Sequence, residues 1–217
     1  MNSVLHTYIL LTLSTLFCLI VNRNFIHPNQ KLFVNLSYLG LLVFFMGRLY
    51  ELARIITGLE IENTFELGFV GITGAFCFWL SSNLKIEECL KVKDIKKYNK
   101  KAIILGLLPY IVFLLLVMYN PTSLGIIKNF ILITFISANL YFYIRYLLLA
   151  KDDDNNLLVN LKKYYFYSII FCILILLFFI VYTLNLNIVL FVEGILLSLI
   201  MILRSLSLKE GINKWKI

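Results

Sequence analysis

An all-α polytopic membrane protein is the fold class this sequence predicts, and three observations predict it. Seven apolar stretches fill most of the 217 residues, and each has about the 20 residues that a helix rising 1.5 Å per residue needs to cross hydrocarbon. Hydrophobic residues make up 61% of the chain and charged ones 15%, which leaves too little polar surface to coat a water-facing globule. Most of the charges fall in the gaps between the stretches. The predicted transmembrane helices cover 4–22, 32–56, 67–83, 102–119, 126–150, 164–183 and 187–204. No gap is long enough for a further folded unit, so 1–217 reads as a single seven-helix transmembrane domain.

The basic excess, 20 Lys and Arg against 12 Asp and Glu, reads as topology rather than as nucleic-acid binding. Alternating the spans places every Lys and Arg except Arg48, Arg54 and Lys128 on one side. The positive-inside rule then predicts an N-terminus outside and a C-terminus in the cytoplasm. In number and orientation of spans, though in no diagnostic motif, the layout resembles the seven-helix input domains that bacteria place ahead of signalling modules. The expected location is a bacterial-type cell membrane.

Span one has no Lys or Arg before it and no small-x-small pattern before Arg23, so it reads as a retained helix and not as a cleaved signal. Span two ends in MGRLYELARIITG, where Arg48, Glu51 and Arg54 are three apart and share a helix face. Span three opens with Gly68, Gly71, Gly74 and Ala75, small residues that let a neighbouring helix approach closely. Ser81, Ser82 and Asn83 at its inner end are expected to finish that helix. The following gap, 84–101, carries Lys85, Lys91, Lys93, Lys96, Lys97, Lys100 and Lys101. It reads as a solvated loop, or as a short amphipathic helix along the headgroups through Ile86, Leu90, Val92 and Ile95, and it is the expected docking surface for a cytoplasmic or membrane protein partner.

In span four, Pro109 removes a backbone hydrogen bond and is expected to kink the helix near Tyr110. Span five carries Asn139 near mid-membrane, where its amide must face the bundle to find a partner, and Tyr143 one turn on shares that face. Arg145 and Tyr146 near the inner end are expected as interfacial anchors. In the next gap, KDDDNNLLVNLKK, Asp154 or Asn155 caps a short turn into Leu157, or the acids simply stop the helix. Spans one to three and five to seven cover similar lengths around a lone fourth span, a layout also used by small transporters, but no residues repeat between the halves.

A charge in hydrocarbon costs about 2.5–3.5 kcal/mol on insertion scales, which makes each one a site candidate. Glu193 lies six residues into span seven, about 9 Å along the helix, at a depth similar to Arg48. The expected site is therefore a Glu193–Arg48 pair in an outer-leaflet cavity, with Glu51 and Arg54 nearer its mouth and Asn139 and Tyr143 as further ligand contacts. Glu60, Glu62 and Glu66, together with Glu51 and Glu193, would make an acidic entrance suited to cations or amines.

Catalytic sets are missing from the sequence. His6 and His27 are the only histidines, one near each side of span one, so neither a two-His metal site nor a Ser-His relay forms from them. Glu87-Glu88 is followed by no arginine or His motif of a membrane protease, no Gly-rich phosphate loop is present, and the last span has no lysine for a retinal Schiff base. Cys18, Cys77, Cys89 and Cys172 lack C-x-x-C spacing and read as reduced packing residues. No cofactor, metal or nucleic acid is expected. The leading expectation is a non-enzymatic sensor or receptor-like protein that binds a small or amphiphilic ligand. Its outward site would be separated from the inner face by Phe178, Phe179, Leu197 and Leu199. A small transporter or transporter subunit is the alternative and an intramembrane enzyme the third.

Overall fold

The computed structural model describes residues 2–26, 30–58, 67–89, 98–119, 123–152, 156–184 and 186–215. Helices are the only regular elements among them: α1 (Asn2–Val21), α2 (Leu32–Thr57), α3 (Leu67–Cys89), α4 (Asn99–Gly106), α5 (Pro109–Tyr119), α6 (Ser123–Asp152), α7 (Asn156–Asn160), α8 (Lys162–Thr183) and α9 (Asn187–Trp215), with a 3-10 turn at Arg23–Phe25. Seven of the helical stretches are long and apolar enough to span a membrane, and α4 with α5 counts as one of them. The protein thus has the build of a multi-pass membrane protein.

Successive spans run in opposite directions. The start of α1 and the ends of α2, α5 and α8 share one face, here the N-face; the end of α9 lies on the opposite, basic face. Six spans close a ring through the contacts α1–α2, α2–α3, α3–α6, α6–α8, α8–α9 and α9–α1. The fourth span stands outside the ring against α6 and α8 and is the least buried of the seven. It breaks where a proline predicts. α4 ends at Gly106 and α5 starts at Pro109, because Pro109 has no N–H to continue the ladder and its fixed φ suits the first turn of a new helix.

The extensive α2–α3 contact follows from glycine. A Cβ on Gly71 would lie 2.5 Å from Gly47 Cα, and one on Gly40 would lie 2.5 Å from Trp79 Nε1, so the two backbones meet at a distance only small residues permit. The α2 helix stops at Gly58, whose φ of 64° is the left-handed conformation that ends a helix.

Two helices, α3 and α9, run well past the ends that the sequence predicts. The α3 helix runs through Ser81, Ser82 and Asn83 to Cys89, and the last two bond neighbouring helices instead of ending their own. Ser82 Oγ donates to Phe33 O (2.8 Å) and Asn83 Nδ2 to Asn139 Oδ1 (3.1 Å). The α9 helix continues past Arg204 to Trp215, since Leu206, Leu208 and Ile212 keep supplying apolar surface, and Leu208 and Ile212 are buried. Residues 84–89 of the basic gap extend α3, while 90–97 lie outside the described residues, as do Asp153, Asp154 and Asn155. Downstream of those acids, α7 folds back on α9 and buries Leu157 and Leu158, with Leu161 beside them.

Candidate functional site

The last turns of α2 build a cavity on the N-face. Because Arg48, Glu51 and Arg54 are three apart, all three line it, together with Tyr8 of α1, Gly68, Phe69 and Ile72 of α3, Leu116 of α5, Lys128, Asn129 and Leu132 of α6, and Phe178, Phe179, Tyr182 and Thr183 of α8. Its volume is about 210 Å³, larger than the roughly 150 Å³ cavity that admits benzene. Apolar walls and a few polar groups are the usual composition of a small-molecule site.

Within it, Glu51 is committed. Its Oε2 accepts from Arg54 Nη2 at 2.8 Å and from Arg54 Nε at 3.2 Å. The carboxylate lies over Gly68, where any Cβ would overlap Glu51 Oε1, so that glycine is what leaves Glu51 room. Arg48 is placed differently. It is 3% exposed, and its guanidinium centre lies 5.1 Å from the ring of Phe44, 5.7 Å from Tyr8 and 5.9 Å from Phe178. Its Nε has no hydrogen-bond partner. Aromatic faces attract a cation but do not neutralise it.

The Glu193–Arg48 pair does not form: among the described residues, Arg48 takes part in no salt bridge. Tyr8 and Phe178 pack over Arg48 instead, while the neighbouring turn of α9 is held on α1, where a Cβ on Gly194 would meet Thr7 Cγ2 at 2.6 Å. Glu193 is 6% exposed, with neither carboxyl oxygen hydrogen bonded, and it is not among the residues that line the cavity. Glu60, Glu62 and Glu66 lie outside the described residues. The described lining holds Arg48, Arg54, Lys128 and Glu51; of the five glutamates expected to form an acidic entrance, only Glu51 is among them.

Asn139 and Tyr143 lie deeper and serve the core. Asn139 Nδ2 donates to Phe76 O at 2.8 Å and its Oδ1 accepts from Asn83 Nδ2, while Tyr146 OH donates to Asn83 O at 2.7 Å. Asn139 therefore faces the bundle as its depth requires, as an α3–α6 tie outside the cavity lining. Arg145 is not an interfacial anchor. It is 3% exposed, and its Nη2 bonds Glu87 Oε1 at 2.8 Å, because α3 reaches far enough to bring Glu87 beside it.

Arg204 was legible only as a basic residue at the end of span seven, yet it is 5% exposed. Its guanidinium lies 4.1 Å from the Trp79 ring and 5.1 Å from Phe171. It donates to Ser168 Oγ (2.9 Å), Tyr164 OH (3.1 Å) and Tyr143 OH (3.2 Å). The sequence signal was the pair Leu206 and Leu208, with Ile212 one turn on, which continues the apolar pattern past Arg204. Tyr8, Tyr182 and Lys128 carried no comparable mark.

These residues join in one chain of contacts. Arg48 rests on Phe44, whose ring lies 5.9 Å from both Trp79 and Phe171, and those two flank Arg204 of α9. The aromatic layer lies between the cavity and the basic face. Among the described residues no three His, Cys, Asp or Glu side chains cluster as metal ligands would.

Fold and cavity together define an all-helical, membrane-type bundle of seven spans. Comparisons with protein-family models, with curated proteins and with solved structures gave no match.

Proposed function

We propose that the protein is a non-enzymatic seven-helix membrane receptor that binds a small or amphiphilic ligand in the N-face cavity and passes the event to a partner at its basic face. The observation that carries this reading is the unbroken path from the cavity to the far half of α9: Arg48, Phe44, Trp79 with Phe171, then Arg204. A ligand that moves Arg48 disturbs a packed aromatic layer, and tightly packed layers shift between discrete arrangements rather than deform smoothly. The output element is α9, whose 29 residues at 1.5 Å each reach about 43 Å, beyond the roughly 30 Å of a hydrocarbon core. The basic gap 84–101 is the partner surface in this reading, and positive-inside bias puts the cavity outside the cell.

Transport is the competing reading, and it requires the site to open to each face in turn. Against it stands the aromatic layer beyond the cavity, where Phe44, Phe76, Trp79 and Phe171 are all buried and each ring lies within 6.3 Å of at least two of the others.

The test uses Trp215→Phe protein, which leaves Trp79 as the remaining one of two tryptophans, in sealed liposomes with benzenesulfonate, benzenesulfonamide and benzyltrimethylammonium. A receptor binds at least one probe saturably, changes Trp79 emission and accumulates neither charged probe in the lumen. Chain-dependent accumulation that disappears in Arg48→Met would make the protein a transporter.

A further inference from the structure

The cavity selects by charge, and we infer that its occupant is a small organic anion, a carboxylate or sulfonate on a compact apolar body, with Arg48 as the counter-charge. This rests on the receptor reading of the same cavity.

The charges that bear on Arg48 are few. Glu51 acts on it electrostatically, and the Tyr8 hydroxyl does so and also accepts a hydrogen bond from it, but no carboxylate among the described residues is within ion-pair distance, and Glu51 Oε2 already holds Arg54. Burying a guanidinium without a counter-ion is costly. The three rings around Arg48 and the neutral Tyr8 hydroxyl offset part of that cost but supply no charged acceptor, and the buried Nε is left without a partner, open to an anion. Arg is suited to the role because its planar fork matches a carboxylate or sulfonate. Arg54 and Lys128 line the same walls and have partners of their own, which leaves Arg48 as the counter-charge.

Size sets the rest of the ligand. Some 210 Å³ holds a ring or a short branched chain and excludes a long acyl tail. Ile72, Leu132 and Phe179 supply the apolar contact. An amine would place its charge beside Arg48 and is disfavoured by direct repulsion.

The experiment compares the same three one-ring probes, anionic, neutral and cationic, for binding to the full chain in lipid nanodiscs. Benzenesulfonate is expected to bind at least about tenfold more tightly than the other two, the discrimination a charged hydrogen bond provides. Arg48→Met brings all three within about twofold, and Arg48→Lys keeps part of the anion preference. Thermal unfolding of both variants checks that the bundle survives, and the selectivity of the unaltered chain stands as a test if one does not fold. Equal or tighter binding of the neutral or cationic probe, retention of the preference in a folded Arg48→Met protein, or failure of all three to bind overturns the inference. A cation preference without uptake would do so and leave the receptor reading standing, whereas uptake of bound benzenesulfonate would overturn the receptor reading and leave the anion assignment intact.

Discussion

Arg145 and Glu87 meet because α3 overruns its predicted end, and the pair shows what a single residue's sequence position conceals. Depth alone assigns Arg145 to the interface; only the extension of α3 to Cys89 supplies a partner. The ion pair is 4% exposed on the arginine side and 30% on the glutamate side, so it sits between the surface regime, worth about 0–1 kcal/mol, and the buried one. A double-mutant cycle with Arg145→Met and Glu87→Gln is expected to give a coupling of about 0.5–2 kcal/mol, read by denaturant or thermal unfolding in detergent. Strict additivity would make the contact incidental. Asn139 is the opposite case, since its depth in a span was enough to predict an inward amide. Removing it in Asn139→Leu strands Asn83 Nδ2 and should cost about 0.6–1.7 kcal/mol, the range measured for hydrogen bonds between membrane helices. No loss in unfolding free energy would mean the amides re-pair with their own backbone.

At the scale of elements, the spans were legible and their partners were not. A soluble helix announces its inward face by an apolar stripe, but these spans are apolar all round, lipid and core being equally oily to them. Rotation about the helix axis is therefore unmarked, which is why the depth match of Glu193 with Arg48 misled while the three-residue spacing of Arg48, Glu51 and Arg54 held. The small residues of α3 are the exception. They marked a close crossing, and only the structure distinguishes which of them form it. A Cβ on Gly71 falls 2.5 Å from Gly47 Cα, whereas one on Gly74 meets only Val43 Cγ1 at 3.1 Å. Gly71→Ala must push α2 and α3 apart and is expected to destabilise the bundle by about 1–3 kcal/mol. Gly74→Ala asks one methyl to shift a few tenths of an ångström and should change stability by less than about 0.5 kcal/mol. Equal effects in unfolding would mean that the crossing is not the tight point of the fold.

For the whole molecule, the six-helix ring with span four outside it places every proposed step in order from the N-face cavity through the aromatic layer to the far end of α9. Which face meets the outside then decides which ligands the proposed receptor would meet. The charge asymmetry predicts that the cavity opens outward, because Arg48, Arg54 and Lys128 are the only cations on its side and translocating the many lysines of the other face is disfavoured. Two exposed helical positions test this on opposite faces, Thr57 at the end of α2 and Asn213 near the end of α9. In a background with the four native cysteines replaced, Thr57→Cys should react with a membrane-impermeant maleimide in intact cells, and Asn213→Cys only after permeabilisation. The reverse pattern would turn the cavity toward the cytoplasm, where a small organic anion is a metabolite pool rather than an external signal, and the basic face could no longer dock a cytoplasmic partner. Labelling of both positions in sealed cells would contradict the seven-span count itself, since an odd number of crossings puts Thr57 and Asn213 on different sides.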